Sequence, residues 1–245
     1  MFPIRDHNPS GRTPYVTRAL IVVNIGVFLA YWFGLQSENA LGYFFYNWGL
    51  VPDRVLAGQG MATVLTHMFL HGGWLHLAGN MLFLWIFGDN LEDEMGHLRF
   101  GLFYLASGLA AAALQIAGDP ASDVPMVGAS GAVAGVLGGY LLLFPKARVD
   151  VLFIFVIFFR VFSIPAWIVL GIWFAVQLFN GAAATTDGVA YLAHVGGFVA
   201  GLVLTIPALI KRGGKAYWAQ NQGKPPHPPV EYVLSRSNIP RVPKR

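Results

Sequence analysis

The amino-acid sequence predicts an all-α polytopic membrane protein with six transmembrane helices and with both termini in the cytoplasm. The composition is 56% hydrophobic and only 11% charged, with a mean hydropathy of +0.56. A soluble domain carries about 25% charged residues. Six apolar segments approach or reach the length of about 20 residues that crosses a bilayer core. The basic residues fall almost entirely on one side when these segments are threaded through a membrane in turn.

The apolar segments divide the chain into three parts. A polar cytoplasmic segment, 1–17, precedes a membrane domain, 18–210, and a basic, Pro-rich cytoplasmic tail, 211–245, that we expect to be disordered. The first span is too long for the core of a signal peptide, so we interpret it as a retained helix. The predicted spans are 18–35, 74–91, 98–117, 130–144, 164–179 and 189–210.

Two further segments are apolar without being predicted spans. The run 151–159 is short and ends at Arg160, and an arginine at mid-bilayer costs about 2.5–3.5 kcal/mol on insertion scales. We interpret this run as an interfacial or re-entrant lead into helix five, with a seventh span as the alternative. The loop 36–73 is rich in aromatic residues, which predicts that it lies in the outer membrane interface.

The distribution of charge sets the orientation. With the N-terminus inside, only Arg54 of the 16 Lys and Arg residues lies outside. The net charge of +4 does not indicate nucleic-acid binding, because the basic residues flank the apolar segments. We expect a lipid bilayer as the environment and no nucleic-acid partner. No transit peptide is evident, which favours a prokaryotic cytoplasmic membrane with the site open to its outer face.

Three groups of polar residues stand where a membrane protein usually has apolar ones, and such residues are functional candidates. Histidines and an asparagine cluster before and within helix two, a Gly-Ala-Ser-Gly sequence opens helix four, and Ala-His-Val-Gly-Gly lies in helix six. Each of these helices starts from the outer side, so at 1.5 Å per residue the groups lie within roughly 10 Å of the outer face. Their key residues are His67, His71, His76, Asn80, Ser130 and His194.

This layer of side chains suits acyl transfer. Ser130 needs a base to become a nucleophile, and a neutral histidine such as His194 suits that task. His76 and Asn80, with the backbone N–H of Ser130, are candidates for stabilising the oxyanion. No intramembrane carboxylate is available to orient His194, so the sequence predicts a Ser–His dyad.

Small residues explain how the dyad could form. Glycines line helix four from Gly131 onward, and Gly197 and Gly201 form a G-x-x-x-G pattern on helix six. Such residues let two membrane helices approach closely. Helix four is also short, at about 22 Å, which leaves room for water above Ser130.

These motifs resemble the rhomboid family of intramembrane serine proteases. The resemblance covers roughly residues 18–210 and all six helices, so it implies a rhomboid-like fold. The matching patterns are H-x-x-x-H-x-x-x-x-H-x-x-x-N from His67 to Asn80, G-x-x-x-E-x-x-x-G around Glu92, G-x-S-G from Gly128 to Gly131, and A-H-x-x-G-x-x-x-G from Ala193 to Gly201.

The resemblance implies roles for single residues. Ser130 would be the nucleophile, His194 the base, and His76 and Asn80 the oxyanion donors. It also implies membrane-protein substrates that approach past helix five. Some rhomboids have an aromatic residue four positions after the serine, where this chain has Ala134, so another group must hold the His194 ring. From the residues themselves, we expect structural support from Gly128, Gly131, Gly197, Gly201, His67, His71 and Glu92.

Other functions fit the sequence less well. His67 and His71 have the spacing of a zinc helix, but the glutamate of H-E-x-x-H is missing, so we expect no metal and no cofactor. A haem held by histidines fits poorly beside a serine motif, and a transporter's midplane charges are missing. A catalytically inactive rhomboid-like protein that binds membrane-protein clients is the remaining alternative.

Overall fold

The computed structural model describes residues 2–35, 37–155, 158–183 and 188–226. Most of these residues are helical, and one small sheet lies beside the helices. The helices are α1 (Tyr15–Gly34), α2 (Glu38–Trp48), α3 (Pro52–Leu56), α4 (Thr63–Thr66), α5 (Trp74–Met95), α6 (His97–Gly118), α7 (Ser130–Leu143), α8 (Ala166–Ala182), α9 (Tyr191–Lys211) and α10 (Lys215–Asn221). The strands are β1 (Phe2–Asp6), β2 (Arg148–Phe155) and β3 (Phe158–Pro165).

Three of the described helices are long and apolar enough to cross a membrane, namely α1, α6 and α9. The helices α7 and α8 are apolar but shorter. Helix α5 has 22 residues, but polar side chains interrupt its apolar sequence near both ends. The fold is therefore that of a mostly helical membrane protein. Six spans and cytoplasmic termini stay predictions.

Helices α6, α7 and α9 pack together through glycines. A Cβ atom on Gly201 of α9 would overlap the carbonyl oxygen of Gly135 on α7, and one on Gly197 would overlap the carbonyl of Gly131. A Cβ on Gly131 would also lie 2.5 Å from the Cβ of Ala111 on α6. Larger residues at these positions would push the helices apart, so the glycines and alanine set the short distance between them.

The segment predicted to be interfacial or re-entrant contributes to a three-stranded antiparallel sheet. Strands β2 and β3 form a hairpin in which Arg148 lies opposite Pro165, and β1 adds to the other edge of β2. The strands in 148–155 and 158–165 were not predicted, because a short apolar run does not distinguish a strand from a membrane segment. A position of this run at the membrane interface stays a prediction. Part of the predicted polar N-terminal segment thus forms a strand.

The predicted disordered tail begins with ordered structure. Helix α10 follows α9 closely, Tyr217 is buried, and the Trp218 indole N–H donates to the carbonyl oxygen of Leu142 at 3.0 Å. The prediction of disorder is therefore wrong for 215–221. Residues 227–245 lie outside the described part of the chain.

The bundle has two distinct ends. At the serine end, α5, α7 and α9 begin, with Trp74, Ser130 and Tyr191 as their first residues. At the sheet end, α1 and α6 begin, and the hairpin joins α7 to α8. The predicted site residues other than Glu92 and the more deeply placed Gly201 lie towards the serine end.

Candidate active site

Ser130 is held at the start of α7 by the loop that precedes it. Gly128 has a φ of +137°, a left-handed conformation that favours glycine. Its N–H donates to the carbonyl oxygen of His67 at 2.9 Å. A Cβ on Gly128 would lie 2.7 Å from Nε2 of His76 and 3.4 Å from Oγ of Ser130. Glycine therefore lets the serine and this histidine ring share one small space.

His76 and Asn80 lie one turn apart on α5. The Nδ1 atom of His76 accepts the N–H of Gly72 at 3.3 Å, which leaves the ring proton on Nε2, the atom nearest Gly128. Asn80 is only 8% exposed, and its amide nitrogen has no hydrogen-bond partner among the described residues. Both side chains can therefore donate to a bound group.

His194 lies in the first turn of α9, beside the start of α7. A Cβ on Gly131 would lie 3.7 Å from the carbonyl oxygen of Ala193. The residue after Ser130 therefore faces the residue before His194. His76 lies within electrostatic range of His194 as well. The structure brings Ser130, His194 and His76 into one region.

The surroundings of the His194 ring contain residues that the sequence reasoning missed. Its Nδ1 atom lies 2.7 Å from the side-chain oxygen of Gln177 on α8. The rings of Trp173 and Tyr191 lie near it, with centroid distances of 5.8 and 6.4 Å. Ala134 is fully buried and supplies no ring. A glutamine within an otherwise apolar span was the signal that could have identified this partner.

The remaining histidines support the loop before α5. Nδ1 of His67 lies 2.9 Å from the carbonyl oxygen of Thr63. The backbone of His71 is bonded to the Tyr31 hydroxyl, which donates to its carbonyl at 2.6 Å and accepts from its N–H at 2.8 Å. The His71 ring nitrogens have no partner among the described residues.

Glu92 lies at the opposite end of the bundle from Ser130. Its carboxylate accepts from the N–H groups of Val16 and Thr17, from the Thr17 hydroxyl, and bonds the His97 ring. It thereby ties α1 and α6 to α5. Within the described residues, no group of three or more His, Asp or Glu side chains is arranged to hold a metal ion.

The fold and the site define a class of protein: a helical membrane protein that gathers a serine and two histidines at one end of a glycine-packed bundle. The family model for the Rhomboid domain matches residues 58–211. The chain therefore belongs to the rhomboid family.

Curated relatives have similar sequences over much of this chain. RHOMBOID-like protein 1 of Arabidopsis thaliana is 32% identical, over 90% of this chain and 62% of its own length. RHOMBOID-like protein 4 of the same plant is 36% identical, over 66% of this chain and 38% of its own. Rhomboid protein 1, mitochondrial, of Saccharomyces cerevisiae is 31% identical, over 76% of this chain and 51% of its own. The alignments thus span less than two thirds of these relatives.

The relatives bear on the predicted location. They come from a plant and a yeast, and the yeast protein is mitochondrial by name. They support a membrane protein but give no support to a prokaryotic cytoplasmic membrane.

Proposed function

We propose that this protein is an intramembrane serine endopeptidase that cleaves membrane-protein substrates in or near their transmembrane segments. The observation that carries the proposal is the shared space around Gly128, where the Ser130 hydroxyl and the His76 ring approach the same point. The contact between the starts of α7 and α9, which carry Ser130 and His194, supports it further.

In the proposed reaction, Ser130 is the nucleophile and His194 the general base. The Oγ atom of Ser130 attacks the substrate carbonyl carbon and its proton passes to the His194 ring. The resulting oxyanion accepts hydrogen bonds from Nε2–H of His76, from the amide of Asn80 and from the N–H of Ser130. The first N–H groups of a helix have no intrahelical partner, so the start of α7 is suited to this task.

The reaction is completed by three proton transfers and one water molecule. The protonated His194 gives its proton to the leaving amine, and the C–N bond breaks. Water then attacks the acyl-enzyme ester, His194 accepts the water's proton, and the proton returns to Ser130 Oγ as the acid product leaves. Helix α7 has 14 residues and spans only about 21 Å, so its start can lie below the membrane surface, where water can reach it.

The test is cleavage of a single-span model substrate by the full chain in detergent. We expect Ser130→Ala to abolish cleavage and labelling by a serine-reactive fluorophosphonate, a loss of at least about 10³-fold. The matched control is Ser107→Ala, a buried serine on α6 whose hydroxyl has no partner among the described residues. It should keep its activity.

Other outcomes would reject the proposal. Equal cleavage by wild type and Ser130→Ala would show that Ser130 is not the nucleophile. If wild type neither cleaves the substrate nor is labelled, while it still binds membrane-protein segments, the protein is a non-catalytic client binder.

A further inference from the structure

Gln177 makes two hydrogen bonds, and together they are compatible with only one orientation of its side-chain amide. Its side-chain oxygen lies 2.7 Å from Nδ1 of His194, and its side-chain nitrogen donates to the carbonyl oxygen of Trp173 at 3.3 Å. A carbonyl oxygen can only accept, so the Gln177 NH₂ group must face Trp173. The amide oxygen is then the atom that faces His194.

This orientation determines where the His194 ring carries its proton. The amide oxygen of Gln177 can only accept, so Nδ1 of His194 must be the donor. A neutral imidazole has one N–H group, which leaves Nε2 with a free lone pair. We propose that Gln177 is a positioning residue that holds His194 in the Nδ1–H tautomer, so that Nε2 accepts the proton of Ser130. The inference rests on the proposed function for its catalytic consequence, but the tautomer itself is a property of the resting protein.

Burial strengthens the effect of this contact. Gln177 is only 7% exposed, so its amide has little access to water, and both of its polar atoms are used in these two bonds. The hydrogen bond made by one ring nitrogen of a histidine sets the protonation of the other. Gln177 therefore takes the place that a carboxylate has in a Ser–His–Asp triad, without adding a negative charge.

Among the described residues, Gln177 is the one that is hydrogen-bonded to Nδ1 of His194. Tyr191, on the same helix, and Trp173, on α8, present their rings. From α5, the titratable neighbour is His76. On α7, the residue after Ser130 faces the carbonyl of Ala193, the residue before His194. From α6, Gln115 accepts the backbone N–H of Ala193 at 3.2 Å and leaves the His194 ring alone.

The experiment compares three substitutions in the full chain. Gln177→Leu keeps the approximate volume but removes the acceptor. Gln177→Glu keeps an acceptor and adds a negative charge. Gln115→Leu is the matched control, because it deletes a glutamine that bonds α9 one residue from His194 without touching its ring. For each protein, kcat and KM for the model substrate are measured against pH, together with the thermal midpoint.

We expect Gln177→Leu to lower kcat at least about tenfold with little change in KM, since a wrong histidine tautomer costs up to about 10⁴-fold in triad enzymes. Gln177→Glu should recover much of this loss at the alkaline end and move the acid limb of the pH profile upward by about one unit. Gln115→Leu should leave kcat and the profile as in wild type, whatever it does to the thermal midpoint. Equal losses in Gln177→Leu and Gln115→Leu, or an unmoved acid limb in Gln177→Glu, would overturn the catalytic consequence.

Nitrogen-15 and carbon-13 NMR of histidine-labelled protein reads the tautomer without any turnover. The His194 signals are assigned by their loss in His194→Asn. We expect neutral His194 to be protonated on Nδ1 in wild type and to shift towards Nε2–H in Gln177→Leu. An Nε2–H ring in wild type, or an unchanged ring in Gln177→Leu, would overturn the inference. If wild type shows no cleavage and no fluorophosphonate labelling, the proposed function fails, and the spectrum still decides the tautomer.

Discussion

The two ends of the bundle are held together by different means. At the serine end, helices α7 and α9 meet backbone against backbone, because Gly197 and Gly201 leave no side chain between them and the carbonyls of Gly131 and Gly135. This contact is possible only because Gly197 and Gly201 have no Cβ atom. It brings Ser130 and His194 together without using either side chain.

At the sheet end, carboxylates hold the chain. Glu92 joins α5 to the starts of α1 and α6 through several hydrogen bonds. Asp150 on β2 is bonded by Nε of Arg5 at 2.6 Å and by the His7 ring at 2.8 Å, which ties β1 to the hairpin. At this end, hydrogen bonds and ion pairs of polar side chains join the elements.

The difference shows how stability and reactivity can be separated within one bundle. Glu92 uses its polar atoms within the fold, whereas the amide nitrogen of Asn80 is buried without a partner in the described part of the chain. An unpaired buried donor costs about 1–3 kcal/mol. The amide nitrogen of Asn80 therefore lowers the free energy of unfolding. Substitutions at the two ends should therefore separate folding from activity.

The largest effect should come from adding one carbon at the helix contact. In Gly201→Ala, the new Cβ would overlap the carbonyl oxygen of Gly135, so α7 and α9 must move apart. We expect loss of cleavage and of fluorophosphonate labelling, with a thermal midpoint lowered by many degrees.

The control for this substitution is Gly171→Ala on α8. A Cβ there meets nothing within 4 Å, and alanine is the better helix former by about 1 kcal/mol. This variant should be as stable as wild type or more so. Full activity in Gly201→Ala would show that the close contact does not position the dyad.

The helices were largely predictable from the sequence, and the contacts between distant segments were not. Apolar length and flanking residues gave 98–117 for α6, which the structure has as His97–Gly118. The addition of β1 to the hairpin was not predictable because its partners on β2 lie almost 150 positions away, and no local pattern encodes such a pairing. The contact of Gln177 with His194 joins α8 to α9, and no spacing in the sequence encodes such a contact.

We expect smaller effects from Asn80→Ala at the serine end and Glu92→Gln at the sheet end. The two substitutions should differ in whether they lower kcat or the thermal midpoint. Removing a donor from the oxyanion site costs about 10²–10³-fold in rate, and Asn80→Ala loses no hydrogen bond of its amide nitrogen within the described structure. We therefore expect kcat to fall strongly while the thermal midpoint stays the same or rises. Both quantities are measured on the same detergent preparations.

Glu92→Gln should show the reverse pattern. The amide keeps one acceptor oxygen and puts an NH₂ group against donors, and hydrogen bonds to a charged group are worth about 1.5–3 kcal/mol. The thermal midpoint should fall, and the protein that remains folded should cleave at nearly the wild-type rate. Loss of stability in Asn80→Ala, or a specific loss of kcat in Glu92→Gln, would contradict the division between the ends.

The smallest effect concerns a carboxyl at the sheet end. Burial, the main cause, raises the pKa of Asp6 from 3.8 to about 8, although the Tyr140 hydroxyl donates to its Oδ2 at 2.7 Å. The folded protein then keeps Asp6 protonated where the unfolded chain has ionised it. The stabilisation is fully present below about pH 4 and is lost as the pH rises through about 8.

Asp6→Asn keeps the shape and removes the titration. From pH 5 to pH 8 we expect the thermal midpoint of wild type to fall by several degrees relative to Asp6→Asn, because each pKa unit of difference is worth at most about 1.4 kcal/mol per site. Above that range the two curves should run parallel. The contact of His7 with Asp150 is present in both proteins and does not contribute to the difference. Asp89 interacts with Asp6, so the difference between the curves reports the titration of Asp6 together with its effect on Asp89. Parallel curves from pH 5 onward would mean that Asp6 is already ionised in the folded protein, and that the sheet end holds this carboxylate by charge, as it holds Asp150.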